Sequence, residues 1–222
     1  MVNESLMTRR AFLRGAFGMA ALAGAGGLLS ACSPQPAEEP EPAAEDAQQP
    51  LAEPAASEEA ARAGGALVAY FSATGNTRGV AEAIAQHLGA DTFEIAPAEP
   101  YSAEDLDYNN AGSRASRERD NPDRQVELVQ VTPDDFDAYD TVFVGYPIWW
   151  GDASWVVDGF VSGNDFSGKT VVPFCTSGGS GMGQSGESLA AMAGTGDWLP
   201  GARFSGSASP AEVTAWVDGL GL

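Results

Sequence analysis

Histidine, cysteine and positive charge are scarce in this sequence of 222 residues. With His87 as the sole histidine, neither a Ser-His-Asp arrangement nor a His-based metal set stands out, so nucleophilic hydrolysis and metal chemistry are not expected. Lys and Arg number 11 against 31 Asp and Glu, a formal charge of −20, which argues against nucleic acid as a partner. An apolar, Ala/Gly-rich stretch runs over 16–29, too short and too rich in glycine for a lasting membrane span. Residues 33–63 contain no aromatic side chain and no usable period, so they cannot bury enough surface to fold. The stretch SATGNT (72–77) matches neither GxxxxGK[ST] nor GxGxxG, which disfavours a Walker-type nucleotide loop and a dinucleotide fingerprint there.

What is present begins with a targeting signal. Positions 8–14 read TRRAFLR, a twin-arginine pattern, and the apolar stretch ends in LSAC, which resembles the lipobox of bacterial lipoproteins. Residues 1–31 are expected to be a twin-arginine signal peptide, and Cys32 the lipidated residue. The twin-arginine route exports folded proteins, which suits one that collects a cofactor in the cytoplasm. Loss of 1–31 removes Arg9, Arg10 and Arg14 against only Glu4, so the remainder is more acidic still. Cys175 is then the only thiol left, and no intramolecular disulfide is available in an oxidising compartment. Residues 32–64, rich in Ala, Glu and Pro, read as a disordered linker with a reach of several tens of ångströms at about 3 Å per residue. The expected location is the extracytoplasmic face of the cytoplasmic membrane, with a lipid anchor.

From residue 65 to 222 short apolar runs alternate with segments of helical period, the pattern of a parallel α/β sheet. The runs are ALVAYF (66–71), TFEI (92–95), TVFVGY (141–146), KTVVPFC (169–175) and a weaker ARFSG (202–206). The first, third and fourth are nearly unbroken, as for central strands covered on both faces. Val80, Ile84 and Leu88 form one stripe of a helix that follows Asn76. Val213, Trp216, Val217 and Leu220 form another, opened by Ser209, Pro210 and Glu212 as a capping box. Shorter helices are expected at 152–161 and 184–193, and helix plus loop over 100–124.

Ligands of such sheets lie beyond the carboxyl ends of the strands. After the first strand comes SATGNT (72–77). Gly75 lets the backbone approach an anion, Ser72, Thr74 and Thr77 bring hydroxyls, and the helix start brings free amides, a neutral cradle suited to a monophosphate ester. An ordinary Gly/Asn turn would read the same way in isolation. After the third strand, YPIWWGD (146–152) sets two tryptophans where the chain should turn towards solvent, and a planar heteroaromatic ring would cover them. After the fourth, TSGGSGMG (176–183) offers exposed amides and little bulk.

Taken together, YFSATGNT, GYPIWWG and KTVVPFCTSGGSG resemble the flavodoxin family, over about 66–222. The resemblance implies a flavodoxin-like three-layer α/β sandwich with a five-stranded parallel sheet, order 2-1-3-4-5, and FMN as cofactor. It implies that Ser72, Thr74, Gly75, Asn76 and Thr77 hold the phosphate. Pro147, Ile148, Trp149, Trp150 and Gly151 would border the isoalloxazine, with Thr176, Ser177, Gly178 and Gly179 on its other side. Members of this group usually carry a proline in the turn after WWG, whereas Gly151 here is followed by Asp152, Ala153, Ser154 and Trp155. Family members also rotate a glycine peptide in that loop to meet the flavin N5, and Gly151 is the candidate.

An acidic surface and an apolar tryptophan wall both disfavour added negative charge on the ring, so one-electron transfer to an unidentified redox protein is expected. An NAD(P)H-dependent FMN or quinone reductase of the same fold is the alternative, and a flavin-free binding module a third reading. His87 suits the dipole at its helix end, and Cys175 packs as a small apolar group with a residual redox option. The arginines 114, 117, 119 and 124 read as a solvated helix paired with Glu118, Asp120 and Asp123, or else as a docking patch.

Overall fold

The computed structural model describes residues 64–222. The expected signal peptide (1–31), Cys32 and the expected linker as far as residue 63 lie outside the described residues.

Strand β1 (Gly65–Tyr70) leads into helix α1 (Asn76–Leu88) and returns as β2 (Asp91–Glu94). Helix α2 (Arg114–Asp120) and a 3-10 turn (Phe136–Ala138) precede the long strand β3 (Tyr139–Trp149) and the two-residue β4 (Asp152–Ala153). A second 3-10 turn (Trp155–Val157) runs into α3 (Asp158–Gly163), followed by β5 (Thr170–Thr176) and α4 (Ser185–Ala193). The chain ends in β6 (Asp197–Trp198), β7 (Ala202–Phe204) and α5 (Pro210–Asp218).

Five positions across the sheet follow the expected order, β2-β1-β3-β5 and then an edge, all parallel. The count of strands is seven rather than five, for two reasons. The edge strand is split, with β6 pairing the start of β5 and β7 pairing its end. Between the two pieces stand Pro200, which has no N–H for the ladder, and Gly201, where a Cβ would come within 2.3 Å of the Pro173 carbonyl. The seventh strand is β4, an antiparallel partner for the tip of β3.

Alternation along the central strands divides the core. Leu67, Ala69, Val142, Val144, Tyr146, Val171 and Cys175 face α3 and α4, where they meet Val157, Phe160, Val161 and Leu189. Val68, Tyr70, Phe143, Val172 and Phe174 face α1 and α5, against Val80, Ile84, Val213 and Val217. The sheet is therefore the middle of three layers. Within the sheet, Gly145 of β3 pairs with Phe174 of β5, and a Cβ there would sit 2.2 Å from the Phe174 ring, so that ring lies on bare backbone. Lys169, the only lysine of the sequence, is buried beneath the sheet's N-terminal end. Its Nζ donates to the carbonyls of Phe136 at 2.9 Å and Tyr139 at 2.6 Å, closing the first 3-10 turn.

Several expectations are corrected. Leu88 ends its stripe on the surface, 38% exposed, because α1 stops there and Gly89 turns the chain in a left-handed C-cap. No helix spans 152–161: the first two residues are taken by the β3–β4 hairpin and the next turn is 3-10, so α3 starts only at Asp158. Strand β3 also runs three residues beyond 146. Ser209 caps its helix, its hydroxyl accepting from the Glu212 N–H at 3.3 Å, which is one half of the expected capping box.

Candidate functional site

At the carboxyl end of the sheet, β1, β3 and β5 deliver their following segments to one open cleft with two adjoining parts. The inner part, about 290 Å³, is lined by Ala73, Thr74, Asn76, Pro147, Thr176 and Gly206 among others. Ile148, Trp149, Tyr108, Ser177 and Gly178 line both parts. The outer part, about 410 Å³, adds Trp150, Gly179 and Ser180.

The inner part ends at the start of α1. Gly75, at φ 88°, is its N-cap, no side chain caps the helix, and no acidic residue stands in its first turn. The first amides are thus left for an external acceptor, at the positive end of the helix dipole. Ser72 Oγ is buried there without a hydrogen-bond partner, an arrangement that costs stability until an acceptor arrives. Thr74 Oγ1 accepts from Asn76 Nδ2 at 3.3 Å. The Gly206 backbone lies over Asn76, where a Cβ would be 2.8 Å from that side chain. Thr77 has a different role: it is buried and its Oγ1 bonds Thr176 Oγ1 at 2.9 Å, tying the first loop to the third.

The wall of the cleft is a turn. Ile148 pairs with Ala153 and Trp149 with Asp152, which leaves Trp150 and Gly151 as a two-residue hairpin loop. Both have positive φ, 47° and 88°, the signature of the mirror-image turns that match strand twist. Such a backbone is costly at tryptophan. Trp149 points along the cleft, meeting Phe71 edge-on at 5.7 Å, Tyr101 at 5.3 Å and Trp155 at 4.9 Å between centroids. Trp150, 41% exposed, stacks on Trp155 at 5.8 Å and touches Tyr108.

On the opposite side, Ser177 is held by Arg203, whose Nε donates to Ser177 Oγ at 2.9 Å, while that hydroxyl bonds the Ser180 carbonyl. A Cβ on Gly178 or Gly179 would meet nothing within 4 Å, so this side of the cleft stays open.

Of the residues singled out from sequence, Thr74, Asn76, Pro147, Ile148, Trp149, Trp150, Thr176, Ser177, Gly178 and Gly179 line the cleft. Ser72, Gly75, Thr77 and Gly151 shape it without being lining residues. Sequence reasoning missed Leu106 and Tyr108, from the segment 100–124 that has no readable period, and Gly206, at the end of the weak run 202–206. Of the arginines of 114–124, Arg114 pairs with Glu118 at 2.7 Å and Arg119 with Asp120 at 2.7 Å, Arg117 donates to the Gly112 carbonyl, and Arg124 Nε is buried without a hydrogen-bond partner. Arg119 also lies 5.0 Å over Trp150, and Arg124 lies 4.7 Å over Trp155. Asp158, at the start of α3, is pushed up to about 6 by burial, with Arg124 pulling the other way. Cys175 is in the core, where burial pushes its thiol up to about 12, far from the thiolate that redox chemistry needs. His87 bonds Asp218 at 2.7 Å, joining α1 to α5. Among the described residues no group of His, Cys, Asp and Glu is arranged for a metal.

The cleft therefore suits a ligand with an anionic end at the α1 amides and a flat apolar ring along the tryptophans. The family model for flavodoxin matches residues 65–220. A flavoprotein of Bacteroides eggerthii is 40% identical over 71% of this chain and 98% of its own, with a TM-score of 0.65. One of Bacteroides uniformis is 36% identical over 70% of this chain and 98% of its own, also at 0.65. A Lactobacillus acidophilus flavoprotein solved in complex with FMN shares the fold at 22% identity and a TM-score of 0.53, covering 70% of this chain and 99% of that one. No curated protein matches.

Proposed function

This chain belongs to the flavodoxin family, and on that premise we propose that it binds FMN as a one-electron carrier held by lipid on Cys32 at the outer face of the cytoplasmic membrane. The observation that carries the cofactor is the buried, unpartnered Ser72 Oγ beside the uncapped start of α1. A phosphate placed there satisfies the hydroxyl and the helix amides together.

FMN supplies the redox chemistry when bound. Thr74 and Asn76 flank its phosphate, and the lack of Lys or Arg in SATGNT leaves recognition to hydrogen bonds. Trp149 and Trp150 cover the ring and keep water from it, while Ser177, Gly178 and Gly179 border its other side. Both the apolar wall and the acid-rich chain oppose added negative charge near the ring, which favours a strongly reducing carrier. Gly151 is proposed to offer its peptide to the flavin N5. At φ 88° it sits where a β-branched residue would be strained, and its carbonyl lies near Gly183.

Stepwise reduction of the purified protein followed by visible absorption tests the carrier reading, which expects flavin bands that bleach in two separate one-electron stages. Rapid bleaching by NAD(P)H alone would move the assignment to a reductase. A colourless protein that FMN cannot reconstitute would end the flavin reading. For the tether, radiolabelled fatty acid should enter the wild-type chain and not Cys32→Ala.

A further inference from the structure

Glu118 belongs to none of the three loops, yet its carboxylate has three donors. Oε1 accepts from Arg114 Nε at 2.7 Å, and Oε2 accepts from Trp155 Nε1 at 2.9 Å and from the Tyr101 hydroxyl. Tyr101 and Trp155 are two of the three rings that meet Trp149, with interplanar angles of 74° and 69°. Arg114 closes the set from behind, 4.1 Å over the Tyr101 ring, and supplies the countercharge. Only 19% of the Glu118 side chain is exposed, so water replaces few of these bonds.

We infer that Glu118 is a positioning residue for the flavin ring, acting through Trp149. A single carboxylate oxygen clamps the two rings that flank Trp149, so Trp149 cannot tilt unless Tyr101 or Trp155 gives up its bond. Trp149 lines both parts of the cleft, so its plane sets the wall that the ring meets. The carboxylate thus fixes a surface that it does not itself touch. This inference rests on the FMN reading, and the test separates the two.

A double-mutant cycle on the full chain decides it. Glu118→Gln keeps the volume and loses the charge and one acceptor site, and should weaken FMN binding about tenfold in the wild-type background. With Trp149→Phe already present, the same change should alter the FMN Kd by less than about twofold. An equal factor in both backgrounds, or no loss in the first, overturns the inference, because a role confined to holding 100–124 in place does not depend on Trp149. Tyr101→Phe, which keeps the ring and cuts one tie, should give a smaller loss with the same dependence on Trp149. It carries the test if Glu118→Gln does not fold. Failure of the wild-type chain to bind FMN would count against the proposed function alone. The inference then stands or falls on near-ultraviolet circular dichroism of the apo-protein, in which Glu118→Gln must reduce the tryptophan signal that Trp149→Phe also removes.

Discussion

One end of the cleft is built by six consecutive residues, SATGNT, of which Ala73, Thr74 and Asn76 line it. At the other, the wall is a set of aromatic rings drawn from Phe71, Tyr101, Tyr108, Trp149, Trp150 and Trp155. The cradle's shape is fixed by backbone conformation, at Gly75 above all. The wall's shape is fixed by side chains that hold each other across the sequence. Each end should accordingly tolerate the kind of change that ruins the other.

The largest effect is expected at the wall. Trp149→Ala removes three ring contacts at once and should cost about 3 kcal/mol in urea unfolding, with loss of retained flavin. An unchanged midpoint would break the claim that the wall is part of the fold. Next comes the cradle's backbone. Gly75 has a left-handed φ of 88° and open space where a Cβ would be. Any side chain there should cost about 1–3 kcal/mol through the backbone alone. Gly75→Ala and Gly75→Val should then lose nearly the same stability and FMN affinity, and a much worse valine would show that crowding matters instead.

A smaller and opposite-signed effect is expected at Ser72. Ser72→Ala should weaken FMN binding about tenfold, yet raise apo-protein stability by about 1 kcal/mol, since it deletes a buried hydroxyl without a partner. A stability loss in the apo-protein would mean that the hydroxyl is already satisfied. The smallest effect belongs to Asp158, behind the wall. Burial raises its carboxyl from 3.8 to about 6, so the folded chain holds a proton there that the unfolded chain releases. The stability this gives is complete below the lower value and is lost as pH rises through about 6. Discounted for its partly exposed edge, Asp158→Asn should add on the order of 1 kcal/mol near pH 8 and nothing near pH 4. Equal gains at both would remove the titration from the account. Asp105, Asp120 and Asp165 are shifted down by hydrogen bonds from Ser102, Arg119 and Ser167 respectively, and work in the reverse sense on acidification.

The same contrast explains what the sequence makes legible. Central strands declare themselves as apolar runs because both of their faces are covered, and SATGNT is readable because its parts are contiguous. Strand β3 hides its last three residues, since Pro147 and the pair of tryptophans read as loop. The turn that follows has tryptophan at a position where Asn, Asp or Gly is usual, so Gly151 alone marks it. Helix α2 is only seven residues long, and its reason for being there is Glu118 reaching Tyr101 and Trp155, partners 17 and 37 residues away. Nothing local encodes such contacts. Tyr108 and Gly206 enter the cleft for the same reason.

The interruption at Pro200 and Gly201 has a further bearing on how copies of the chain treat one another. A parallel sheet has two bare margins, and each could template a strand from a neighbour. On one side β2 has only four residues, among them the exposed acids Asp91 and Glu94 on its opposite faces. On the other, β6 and β7 are two and three residues long and separated by an imino acid. Neither margin gives an incoming strand an unbroken row of donors and acceptors, so many copies can crowd together without zipping into a shared sheet.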